Sequence, residues 1–164
     1  MFSKEAQALA KATVEAIKKI SKDKWKWEPQ RYDHFVLPTK LMQDGIVWSF
    51  NKSNQKLTYL GSASDEAEIN ECICAVEYRY AVPFFHWERI EEILLRCPAD
   101  GGCWNFYEPF KFIPDIYRGK FQRWKVEYMW RYERTGVCPT KHWDWGKTRQ
   151  LAVMRAVIEL GKET

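Results

Sequence analysis

The stretch Phe121-Gln122-Arg123-Trp124-Lys125-Val126-Glu127-Tyr128-Met129-Trp130-Arg131-Tyr132-Glu133-Arg134 decides the fold. Trp124, Val126, Tyr128, Trp130 and Tyr132 fall on every second position, and Arg123, Lys125, Glu127, Arg131 and Glu133 fall between them. A period of two is the signature of a strand with one face on a core and the other in water.

Working outward, residues 148–161 read as a C-terminal helix, with Thr148 as N-cap and Gly161 as its stop signal. From Leu151 to Leu160 this helix is apolar nearly all round, which implies burial on more than one side. On the other flank, residues 98–120 scatter Pro98, Gly101, Gly102, Pro109, Pro114 and Gly119 among aromatics. That composition suggests an irregular, aromatic-rich insertion with at most short strands.

Further upstream, Cys72 to Val82 alternates as a half-buried strand closed by Pro83, and His86 to Leu95 has Trp87, Ile90 and Leu94 on one helical face. Tyr32–Leu37, Ile46–Phe50 and Leu57–Leu60 read as strands, the last two joined by a turn at residues 51–54. Ser64 to Glu68 resembles a capped acidic helical turn. Residues 1–24 hold an N-terminal helix whose Phe2, Ala6, Leu9, Thr13, Ile17 and Ile20 recur at helical spacing. The expected fold class is α+β: an antiparallel sheet of about five strands with helices packed on its faces, residues 1–164 forming a single layered domain.

Composition limits the functions open to such a chain. With 46% hydrophobic residues and nine Trp it is not disordered. No run of about eighteen apolar residues occurs, and Lys4, Lys11, Lys18 and Lys19 stud the first helix, so the expectation is a cytoplasmic protein with no membrane span or signal peptide. Five cysteines without dense regular spacing point to thiols in a reducing compartment. Acidic residues crowd the middle and cations the two ends, but a net charge of +4 weighs against general nucleic-acid binding.

The residues able to carry chemistry cluster near the end. Gly146-Lys147-Thr148 opens a helix in the manner of a phosphate-binding loop, yet Lys141 stands where that loop needs a glycine. What remains is a helix start flanked by Lys147 and Arg149, able to hold an anion, with Thr148 either part of that site or simply a cap. Arg155 projects from an otherwise apolar face between Leu151 and Ile158. A guanidinium there needs a partner. Glu159 one turn on is the structural candidate, and a phosphate or carboxylate held bidentately is the functional one. Aromatics of the insertion such as Trp104 and Phe106 could stack a base or pack in a core.

Other chemistry is weakly signalled. Cys72, Cys74, Cys97, Cys103 and Cys138 lack a strong zinc spacing, so no metal site is assigned, and no cofactor motif is present. His34, His86 and His142 have no carboxylate at a telling spacing and there is no glycine-flanked serine elbow, which favours a non-catalytic protein without excluding an enzyme.

Three segments resemble small proteins of phages and prophages: Trp25 to Pro29, Val82 to Glu88, and Thr148 to Lys162. The last is similar to the closing helix of the phage ABA sandwich domain. The strand followed by an arginine-bearing helix also resembles the sponge proteins with which phages sequester cyclic nucleotide signals of the Thoeris defence. That resemblance implies phosphate or ribose contacts from Arg155 and Arg149, base stacking by Trp104 or Phe106, and a homo-oligomer in the host cytoplasm. The expected function is therefore sequestration of a small phosphorylated ligand. The alternatives are an inhibitor that covers a host or defence protein, and a hydrolase of nucleotide signals.

Overall fold

The computed structural model of the chain describes residues 3–38, 43–61, 73–96, 104–132 and 140–163. They divide into two compact units, one formed by Met1–Lys11 with Trp27–Phe85 and the other by Ala12–Lys26 with His86–Thr164. The N-terminal helix α1 (Lys4–Ile20) contributes to both. The fold is α+β, and where the sequence suggests one sheet there are two, of five and three antiparallel strands.

The first unit holds β1 (His34–Leu37), β2 (Gln43–Asn51), β3 (Lys56–Gly61), β4 (Ile73–Glu77) and β5 (Val82–Phe84), in the order β4-β3-β2-β1-β5. Phe35, Val36, Val47 and Leu57 are its buried centre. Gly45 lies opposite Phe35 and beside Tyr59, whose rings meet edge to face at 5.1 Å; a Cβ at Gly45 would stand 2.7 Å from Tyr59 and 2.9 Å from Phe35. The expected turn joins β2 to β3, where the Asn51 side chain accepts a hydrogen bond from the Ser53 amide at 3.0 Å.

The strand expected from Cys72 to Val82 is instead two strands on opposite edges of the sheet. A 3₁₀ turn at Tyr78–Tyr80 separates β4 from β5. Side-chain alternation holds only as far as Tyr78, which is tucked inward: its hydroxyl donates to the Trp27 carbonyl at 2.6 Å and its ring stacks on Trp27, whereas Tyr80, expected on the buried face, is exposed in the turn. Four strand spacings would put flat edges about 19 Å apart. The chain between Glu77 and Val82, shortened by a 3₁₀ turn that rises about 2 Å per residue, reaches less than that, so the sheet must curl.

The second unit is built on β6 (Trp104–Tyr117), β7 (Lys120–Tyr132) and β8 (Thr140–Gly146), with α2 (Trp87–Arg96) and α3 (Arg149–Glu163). Over residues 104–117, strand β6 overturns the reading of residues 98–120 as irregular; residues 98–103 lie outside the described ones. Pro109 and Pro114 fit because β6 is an edge strand and carries bulges at 106–108, 108–111 and 115–116, the places where a missing amide is tolerated. Arg118 and Gly119, with φ of +50° and +73°, make the tight β6–β7 turn.

Residues Trp124, Val126 and Tyr128 face the helices as their period predicts. Phe112 meets both Trp87 and Trp124 edge on, and the Tyr128 hydroxyl donates to the Ala156 carbonyl at 3.4 Å. On the opposite face Glu127 is a correction: expected in water, it is 8% exposed, held by Lys125 at 3.2 Å and Lys141 at 3.1 Å.

Helix α3 is buried along Leu151, Ala152, Val153, Met154, Ala156, Val157 and Leu160, in keeping with its all-round apolar sequence. Gly161 does not end it. The helix continues to Glu163, and the glycine serves close packing, since a Cβ there would lie 2.7 Å from the Ala16 Cβ. The buried residues of α3 are thus packed inside the chain. Cys72, Cys97, Cys103, Cys138 and the Ser64–Glu68 turn lie outside the described residues; Cys74 is half-buried on β4, and burial, helped by this neighbouring thiol, raises the pKa of the Tyr59 hydroxyl.

Candidate functional site

The strand-to-helix corner at the end of β8 builds the site. Strand β8 ends at Gly146 because α3 crosses directly over it: a Cβ on Gly146 would fall 2.3 Å from the Ala152 amide nitrogen. Lys147 and Thr148 then turn the chain into the helix. Thr148 is the cap, its hydroxyl accepting from the Leu151 amide at 3.1 Å and its carbonyl from the Ala152 amide at 3.0 Å.

One helical turn further, Arg155 is half-buried and reaches back to β8, donating from Nη1 to the Trp145 carbonyl at 3.2 Å. Its guanidinium lines an open cleft of ≈ 580 Å³ together with Asp115 and Tyr117 of β6, Gln122 and Arg123 of β7, and Trp145, Gly146 and Lys147. That volume suits a ligand of nucleotide size. Arg123 pairs with Asp115 at 3.1 Å and lies over the Trp145 ring at 4.0 Å. The described lining therefore carries three cations against one carboxylate, and that carboxylate is already engaged.

This arrangement can hold an anion of two or more charges. Arginine presents a planar fork to phosphate oxygens, Lys147 adds a point charge, and Tyr117 at the mouth offers an exposed ring for a flat group.

The six residues expected to bind ligand are distributed unevenly. Arg155 and Lys147 line the cleft. Thr148 is engaged in capping, and Arg149 turns to the helix-covered face, its guanidinium 4.5 Å from the Trp124 ring and 5.3 Å from Phe112. The backbone of Trp104 and Phe106 belongs to β6, near the opposite end of that strand from Asp115 and Tyr117, so neither position reaches the cleft. Their side chains lie outside the described part.

Sequence reasoning missed Arg123, Trp145, Tyr117, Asp115 and Gln122. The usable signal was alternation: Trp143 and Trp145 share one face of β8, and β7 places Arg123 and Lys125 on the same side.

Other chemistry finds little footing. Among the described residues no three His, Cys, Asp or Glu side chains converge as metal ligands. His142 faces the helices, stacked on Tyr128, with Nδ1 3.8 Å from Glu163 and a buried Nε2 that has no hydrogen-bond partner among the described residues. No described helix is long and apolar enough to cross a membrane. A comparison with protein-family models, with curated proteins and with solved structures found no match.

Proposed function

We propose that this chain is a non-catalytic accessory protein that binds and sequesters a small phosphorylated ligand, a nucleotide signal, in the cleft beside Arg155. The observation that carries the reading is the convergence of Arg155, Arg123 and Lys147 on one cavity of ≈ 580 Å³ flanked by Trp145 and Tyr117. The three cations come from strand β7, the β8–α3 turn and helix α3, and they meet on one lining. The ion pair of Asp115 with Arg123 supports a lining that holds charge.

Sequestration needs only affinity and slow release. Phosphates would be neutralised by the guanidinium forks, with the base against the ring at the cleft mouth. The phage-type role named by the sequence resemblance agrees with such a mechanism. The test is incubation with a panel of linear and cyclic nucleotides, thermal unfolding, and recovery of the ligand after heating. A binder at a hundred-fold excess over Kd gains about 2.7 kcal/mol, a rise of roughly 5–10 °C in Tm, and returns the ligand intact. Recovered cleavage products would instead make the chain a hydrolase, and no shift with any phosphorylated compound would end the proposal.

The inhibitor reading has an observation of its own: Ile116 and Tyr117 at the β6–β7 turn are 60% and 61% exposed. Recovery of one stoichiometric protein with the intact chain, lost on substituting Ile116 and Tyr117 by Ser, would favour it.

A further inference from the structure

The face of the three-stranded sheet turned away from α2 and α3 is not an ordinary solvated surface. Antiparallel register puts Arg123, Lys125 and Glu127 of β7 level with Asp115, Ile113 and Lys111 of β6, and sets Trp145 and Trp143 of β8 beside Lys125 and Glu127. Trp143 is 58% exposed, an unusual cost for the largest apolar side chain. The cations interleave with the indoles: Arg123 lies over Trp145, and Lys125 Nζ sits 5.3 Å from the Trp143 ring and 5.6 Å from that of Trp145. Glu127 is buried between Lys125 and Lys141 and fixes both.

This surface is continuous with the cleft, because Arg123 and Trp145 belong to both. We infer that the sheet face binds a short single-stranded nucleic acid, running from the phosphate site at Arg155 across to Trp143. The inference rests on the cleft reading for its anchoring phosphate and goes beyond it in the length and class of ligand. Three features select a single strand. Alternate residues on one strand face stand about 6.6 Å apart, so Trp145 and Trp143 are spaced for successive unstacked nucleotides. An exposed indole stacks on any base. Among the described side chains of this face Arg123, Lys125, Lys141 and Lys111 outnumber Glu127 and Asp115, an excess of positive charge where a backbone would run.

The test is fluorescence anisotropy with labelled oligothymidylates of one, four and eight nucleotides on the intact chain, with the Arg155→Ala and Trp143→Ala variants and a duplex control. The octamer is expected to bind at least ten-fold tighter than the mononucleotide and more tightly than the duplex. Raising salt from 50 to 200 mM should weaken it roughly twenty-fold if three phosphates are engaged. Trp143→Ala should weaken the octamer about ten-fold and leave mononucleotide binding unchanged.

Equal affinity for one and eight nucleotides, or an octamer indifferent to Trp143→Ala, overturns the inference. Retained, Arg155-dependent mononucleotide binding would then leave the cleft reading standing. A tight, Trp143-dependent octamer that ignores Arg155→Ala has the opposite meaning: the sheet face binds strands and the cleft reading falls. Cosedimentation with phosphatidylserine vesicles in place of octamer binding assigns the face to a membrane and also overturns the inference.

Discussion

Arg155 and Trp145 are joined by a 3.2 Å hydrogen bond from the guanidinium Nη1 to the main-chain carbonyl, which docks the middle of α3 on the last residues of β8. The bond uses part of the arginine's donor set and orients the group that lines the cleft.

Replacing Arg155 therefore separates two roles. Arg155→Ala should lower stability by about 1 kcal/mol through the lost bond and leave a cooperative urea transition, while abolishing the nucleotide-induced rise in Tm. Arg155→Lys should keep most of the stability and recover only part of the ligand effect, because an ammonium cannot present a planar fork. Loss of the folded state in Arg155→Ala would show the arginine to be structural.

At Gly161 two effects of opposite sign compete. Alanine in a helix interior is favoured over glycine by about 1 kcal/mol. The new Cβ would meet Ala16 Cβ at 2.7 Å and its Cα at 2.9 Å, and such overpacking costs about 1–3 kcal/mol. Gly161→Ala should thus destabilise by about 1 kcal/mol, and adding Ala16→Gly should reverse the packing part, a coupling that urea denaturation of the four variants would measure.

The β6–β7 turn makes a contrasting case. Gly119 has φ +73° and open space where a Cβ would stand, so only backbone strain matters. Gly119→Ala should cost about 1 kcal/mol and Gly119→Asn less, read from thermal midpoints.

Glu127 gives a pH dependence of known sign. The hydrogen bond from Lys141 is the largest influence on its carboxyl; burial opposes it, Lys125 adds to it, and the net effect holds the group below the usual carboxylate range. A depressed carboxyl contributes its full stabilisation above its unfolded value and loses it as pH falls through the folded one. Glu127→Gln should therefore have a lower Tm than the native chain at pH 7, and the gap should narrow only below about pH 4. A gap that stays constant down to pH 2 would contradict the pairing.

Much of this fold was written in short-range periodicity. Alternation marked β7 and the helix-facing Trp124, Val126 and Tyr128, Trp130 and Tyr132 lying outside the described side chains, and the largely apolar run of α3 announced burial on several sides. Both signals come from burial itself and survive in the sequence. The failures have a common cause. Prolines in residues 104–117 argued against a strand because nothing local tells an edge strand from a central one. Cys72 to Val82 read as one strand because the sequence pattern does not record where the backbone leaves the sheet, which it does at the 3₁₀ turn that exposes Tyr80. Gly161 read as a stop because its reason, Ala16, is a long-range neighbour.

The candidate site was legible by half for the same reason. Arg155 and Lys147 betrayed themselves as cations around a helix start, but Arg123 and Asp115 look like ordinary surface residues until register brings them together.

Gly146 has its α-carbon wedged between two environments, forming part of the wall of the cleft on one side and the seat of Ala152 on the other. A cargo settling in the cleft and the first turn of α3 settling on its strand thus share a partition one backbone thick. Whatever tightens one tightens the other, so occupancy would be felt as slowed amide exchange in the opening turns of the last helix, far more than in its closing turn.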